Sequence, residues 1–145
     1  FGRSVFHSKT YAGDIREVGD TDEIPIYEKF HGGGIGTVRG YKERSLGSRD
    51  PLTLEPIGGN AIFAQNFELL YPIYEDVLRG IVFFDAGNVW DDWGDVSDLK
   101  KGVGVGIRVM IPFLSAPLRL DYGFALDREP GESRGRLHIG MTFGF

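Results

Sequence analysis

Cysteine is absent from the 145-residue chain, which excludes disulfide staples and thiolate chemistry without fixing a compartment. No stretch approaches the roughly eighteen consecutive apolar residues that a transmembrane helix needs. A large excess of either charge is missing as well. The 16 Lys and Arg set against 21 Asp and Glu leave a formal charge of −5, which points away from a nucleic-acid surface. No signal peptide is visible, and the sequence opens at Phe1, not Met, directly on a sheet-like stretch. The sequence therefore predicts a processed or excised piece of something longer.

What is abundant is more discriminating. There are 22 Gly, 11 Phe and 6 Tyr. Glycine is costly inside a strand unless something needs the space, and aromatics favour sheets and membrane interfaces. An apolar fraction of 41% is ordinary, but a barrel wall is ordinary by this measure too, because every second side chain faces the lumen.

Alternation carries the argument further. Leu137, Ile139, Met141, Phe143 and Phe145 share one side of a strand opposite His138, Gly140, Thr142 and Gly144. Leu118, Leu120, Tyr122, Phe124 and Leu126 repeat this against Arg119, Asp121, Gly123 and Ala125, and Val103 to Ile111 repeat it again. Segments of about nine residues with one greasy face have the length and period of transmembrane β-barrel strands. Alternation alone also fits a water-soluble sheet.

Six extended segments are predicted: Arg3 to Ile15, Asn60 to Tyr71, Gly80 to Val89, Gly102 to Ile111, Leu118 to Leu126, and Gly135 to Phe145. In the second, Asn60, Asn66 and Glu68 face inward; in the third, Ile81, Phe83, Asp85 and Gly87 do. Pro72 to Arg79 and Pro112 to Pro117 read as compact turns, Trp90 to Lys101 and Asp127 to Arg134 as longer charged loops, an alternation that suits an up-and-down barrel. About forty residues separate the first two strands, and a loop of that length needs a function or a wall to lie against. Six strands fall short of the roughly eight of the smallest membrane barrels, and lipid tolerates no open sheet edge. The expectation is a part of a larger barrel.

Within the long connection lies His31-Gly32-Gly33-Gly34-Ile35-Gly36-Thr37-Val38-Arg39-Gly40-Tyr41. No Lys-Ser or Lys-Thr follows at the spacing of a phosphate loop. The glycines instead permit a curled hairpin with Arg39 at its tip. Val38-Arg39-Gly40-Tyr41, Gly59-Asn60-Ala61, Leu78 to Trp90, Gly102 to Arg108 and Pro117 to Gly123 occur in the order of the C-terminal barrel region of the BamA family, which the chain resembles over nearly its whole length.

The resemblance implies an all-β fold: an antiparallel transmembrane β-barrel segment, the last six strands of a sixteen-stranded barrel, with periplasmic POTRA domains upstream. It implies that residues 16–59 form a long loop folded into the lumen, where Arg39, with Gly40 and Tyr41, is latched to the wall acids Glu68 and Asp85. A guanidinium between two carboxylates makes directed, charge-assisted hydrogen bonds that offset its desolvation. Arg108, Arg119 and Asp121 form a lumenal network if register and shear allow, and are otherwise individually solvated charges. Trp90 and Trp93 suit an interfacial aromatic belt or a cover over local loop backbone. His7, His31 and His138 have neither metal-ligand spacing nor a carboxylate partner evident in the sequence. At the terminal strand, Phe143 stands where such barrels commonly stop, and Phe145 extends beyond it on the same face.

By the same resemblance the chain resides in the bacterial outer membrane and serves an assembly factor that assists folding and insertion of β-barrel precursors. Its partners are then outer-membrane lipids, unfolded β-barrel precursor proteins and accessory assembly proteins, without nucleic acid, metal or cofactor. A two-partner secretion pore, which shares the loop arginine and wall aspartate, is the alternative. Ser4, Ser8 and His7 offer no triad, so the sequence predicts no enzyme.

Overall fold

A computed structural model describes residues 3–16, 18–19, 24–93, 98–114 and 116–141. Phe143 and Phe145, singled out in the terminal strand, lie outside the described residues. In chain order the strands are β1 (Val5–Asp14), β2 (Ser48–Arg49), β3 (Pro56–Gly58), β4 (Ala61–Tyr74), β5 (Leu78–Trp90), β6 (Lys100–Val109), β7 (Leu118–Ala125) and β8 (Gly135–Met141), with one 3-10 turn at Ile26–Glu28. Six form a single antiparallel sheet in the order β1-β4-β5-β6-β7-β8, and β2 and β3 pair separately inside the long connection.

Apart from the step across that connection, each strand of the large sheet lies beside its neighbour in sequence, as hairpin connections dictate. The alternation sets the two faces. On β5, Ile81, Phe83, Asp85 and Val89 are buried while Val82 and Phe84 are exposed; on β7, Asp121 is buried while Tyr122 and Phe124 are exposed. Leu137, Ile139 and Met141 of β8 extend the exposed apolar face. A continuous apolar face of this kind is covered by lipid in a membrane barrel.

The alternation is interrupted on β1 and β4, where Gln65 sits among outward apolar residues. Its amide donates to Ser8 Oγ at 2.9 Å, and Thr10 Oγ1 donates to Gln65 Oε1 at 2.5 Å, so the polar groups satisfy one another across the strands. The β4–β5 connection is shorter than the sequence suggests. Pro72 to Tyr74 belong to β4, with a register irregularity between Pro72 and Tyr74, and only residues 75–77 turn. A bulge is where a strand accommodates a residue without an N–H.

Residues 24–60 fold back over the buried face of the sheet. Phe30 exchanges backbone hydrogen bonds with Gly59, at 2.9 and 3.0 Å, and Gly32 pairs with Leu46. Val38, Tyr41 and Leu46 from this segment close a core with Ile62 and Val89 from the sheet, flanked by Phe30 and Ala125. Trp90 is buried beside Trp93, with ring centroids 6.1 Å apart, so of the two readings open at Trp90 its burial disfavours a ring exposed in a membrane belt.

Candidate functional site: the arginine cluster beneath the loop

Two tight turns bring the loop to its apex. Gly34 N–H donates to the Val38 carbonyl at 2.9 Å, Thr37 N–H to that of Gly34 at 3.2 Å, and beyond the apex Ser45 N–H to that of Lys42 at 3.2 Å. Between them Val38 to Tyr41 press against the sheet, every one of them buried. Gly40 has φ of +99°, a conformation that favours glycine, and a Cβ there would press on the Phe124–Ala125 backbone. The wall yields space in return. A Cβ on Gly123 would sit 2.6 Å from Gly40 N, and one on Gly102 would overlap the Arg39 carbonyl. Strand glycines therefore mark where the loop backbone lies flat on β6 and β7.

Arg39 is 1% exposed. Its Nε and Nη2 donate to Asp85 Oδ2 and Oδ1 at 2.6 and 2.7 Å, a bidentate pair, and its backbone N–H donates to Oδ2 at 3.0 Å. Nη1 donates to Glu68 Oε1 at 2.6 Å and to Asp121 Oδ2 at 3.1 Å. The guanidinium carbon stands 3.6 Å from the centroid of the Phe83 ring. Burial opposes the positive charge, but the hydrogen-bonded Asp85 and the nearby Glu68 and Asp121 more than offset it, so the Arg39 pKa is raised.

Asp121 joins this pair to the residues that the sequence reading placed in a separate network. Arg108 Nη1 donates to Asp121 Oδ1 at 2.5 Å and Arg119 Nη2 to Oδ2 at 2.9 Å, while both reach toward Glu68 at 3.5 and 3.8 Å. The register explains the convergence: Gly106 lies opposite Asp121, and Arg108 opposite Arg119. Three guanidiniums and three carboxylates thus form one cluster rather than a latch beside a network. Such balance lets charges be buried that would each be prohibitive alone.

Tyr41 fastens the other side of the apex. Its hydroxyl donates to the Lys101 carbonyl at 3.0 Å and accepts from Asp127 N–H at 3.0 Å. Burial pushes its pKa up to about 12, against the opposing effect of the Asp127 hydrogen bond.

Several contacts were not legible in the sequence. Asn66 Nδ2 donates to the Thr37 carbonyl at 2.6 Å. His7 and His138, read without carboxylate partners, each have one at 3.6 Å, Glu68 for His7 and Glu43 for His138. His31 lies beside Gly58. Among the described residues no group of His, Asp and Glu has the arrangement of a metal site. What the cluster does chemically is hold a loop against a wall.

Similarity to known proteins extends the reading. The chain is 36% identical over 145 aligned positions to the outer membrane protein assembly factor BamA of Nitratidesulfovibrio vulgaris, covering 94% of this chain and 18% of that protein. It is 31% identical over 160 positions to BamA of Neisseria meningitidis serogroup B, covering 86% and 20%. The chain thus spans about a fifth of the length of these curated relatives. In three dimensions it resembles the crystal structure of BamA from Haemophilus ducreyi lacking POTRA domains 1-3, with a TM-score of 0.77 and 23% identity over 93% of this chain and 31% of that one. That likeness shows the fold, a segment of a BamA-type β-barrel. Residues 2–145 also match the Omp85 superfamily domain, and by this match and the identity to its relatives the chain belongs to the Omp85 superfamily.

Proposed function

We propose that this chain is the C-terminal six-stranded part of a sixteen-stranded barrel that assists folding and insertion of β-barrel precursors, with its loop held in the lumen by Arg39. As a member of its superfamily the chain lies in the outer membrane, and its exposed apolar face meets lipid. The observation that carries the reading is the buried Arg39 between Asp85, Glu68 and Asp121, in a chain whose relatives are outer-membrane assembly factors.

Assembly of this kind needs no covalent step. An unfolded precursor entering lipid must keep its amides and carbonyls paired, because each unpaired group costs several kcal/mol there. A strand edge that opens in the barrel wall offers such pairing by β-augmentation. β8 lies at one edge of the sheet and on this reading forms one side of the seam. The partners are then unfolded precursors, outer-membrane lipids and accessory assembly proteins, and no cofactor takes part.

The test is insertion of an unfolded β-barrel precursor into proteoliposomes that hold the full-length protein. Faster insertion than with an unrelated closed barrel supports the reading. Insertion no faster than that control, together with passage of an extended secreted protein, contradicts it.

A further inference from the structure

The terminal strand carries a side chain that the arginine cluster does not use. His138 of β8 is buried, and its Nε2 accepts the Gly40 N–H at 3.0 Å. It therefore reaches the amide of the glycine that follows Arg39. On the other side of the ring, His138 Nδ1 lies 3.6 Å from Glu43 Oε1, and Glu43 accepts the Ile35 N–H at 2.8 Å. A carboxylate on the Nδ1 side selects the tautomer with its proton on Nδ1, which leaves the Nε2 lone pair free to accept. Only an imidazole that carries no proton on Nε2 can make this bond.

From this geometry we infer that His138 is a positioning residue that ties the loop apex to the last strand through its neutral, Nδ1-protonated imidazole. The hydrogen bond joins Gly40 to β8, and the Glu43 carboxylate that lies 3.6 Å from Nδ1 is itself held to the 34–37 turn by the Ile35 N–H. This hydrogen bond is separate from those of the Arg39 cluster, which grips β4, β5 and β7, but His138 lies directly opposite Asp121 of that cluster across the β7–β8 pair, with Glu43, Arg136 and Arg39 as its other charged neighbours. Gly40 fits the arrangement because its left-handed backbone rests on Phe124 and Ala125 of β7, the strand paired with β8. The loop and the edge strand then move as one unit. The consequence for precursor assembly rests on the function proposed above, but the tie itself does not.

Amide hydrogen exchange of the full-length protein in liposomes tests it, with His138→Phe removing the acceptor at similar ring size and His138→Gln restoring an acceptor of similar reach. Exchange at Gly40 should rise about tenfold in His138→Phe, the scale of one buried hydrogen bond, and return near wild type in His138→Gln. Amides of β4 and β5 serve as the folding control and should stay protected in both variants. Imidazole nitrogen shifts of the wild type should report an unprotonated Nε2 at neutral pH. Unchanged Gly40 exchange in His138→Phe, equal loss in both variants, or a protonated Nε2 would overturn the inference. Failure of precursor insertion with these exchange results intact would instead count against the assembly reading.

Discussion

Replacing Arg39 by Ala leaves Asp85 and Asp121, both fully buried, without their shared guanidinium. Breaking a buried ion pair in this way costs about 3 to 5 kcal/mol, and the cost falls on the loop because the strands keep their own ladders. Limited proteolysis should therefore cut residues 30–46 in the variant and spare the wild type. Arg39→Lys supplies charge without the planar fork that meets Asp85 at two oxygens, so its cleavage rate should lie between the two. Tyr41 makes a second prediction. Its folded pKa of about 12 exceeds the ordinary 10.0, so folding favours the protonated phenol; that contribution is intact below pH 10 and is lost as pH rises through 12. Loop cleavage should increase over that alkaline range in the wild type, and this step should be missing in Tyr41→Phe. At this scale the sequence was partly legible. Alternation put Glu68 and Asp85 inward and the resemblance pointed to Arg39, but the place of Asp121 depends on strand register, which no local pattern states. His138 was not legible at all, because its partner is a backbone amide 98 residues away in the sequence, on a loop whose path the sequence does not give.

Strands β5 to β8 were readable because one face is apolar and the other is not, so a slip of one residue would reverse every side chain. The end of β4 was not, since Pro72 reads as a turn residue and only cross-strand pairing with Arg79 carries the ladder past it. Inward glycines were readable as space, though not as space for a particular backbone. Gly123→Ala tests that use: its Cβ would press on Gly40, and overpacking of this kind costs about 1 to 3 kcal/mol. Exchange should increase at the loop apex while β6 and β7 stay protected. The outward face is tested separately. Leu120→Arg on the lipid face should destabilise the barrel in liposomes by about 2 to 4 kcal/mol if it sits near the midplane, whereas Lys9→Gln on the inward face of β1 should change stability by no more than about 0.5 kcal/mol. Urea titration of the two variants checks the assigned facing, and equal costs would contradict it. Asp121 is unsuited as the inward control, because it binds three arginines.

At the scale of the whole molecule, the sheet ends at β1 and β8 with neither edge paired to another strand among the described residues. Lipid does not tolerate this, so on the proposed reading the remaining wall belongs to other strands, and the loop spans the face that those strands would enclose. The loop is held by charge at Arg39, by apolar packing at Val38, and by hydrogen bonds at Tyr41 and Gly40. Its attachment to five elements makes it part of the wall's structure rather than a cover that floats above it. The initial rate of precursor insertion by full-length Arg39→Ala in liposomes, with loop release confirmed by proteolysis in the same samples, tests most directly whether that attachment serves assembly. The account predicts a rate that falls toward that of liposomes without the protein; a wild-type rate with the loop released would contradict it.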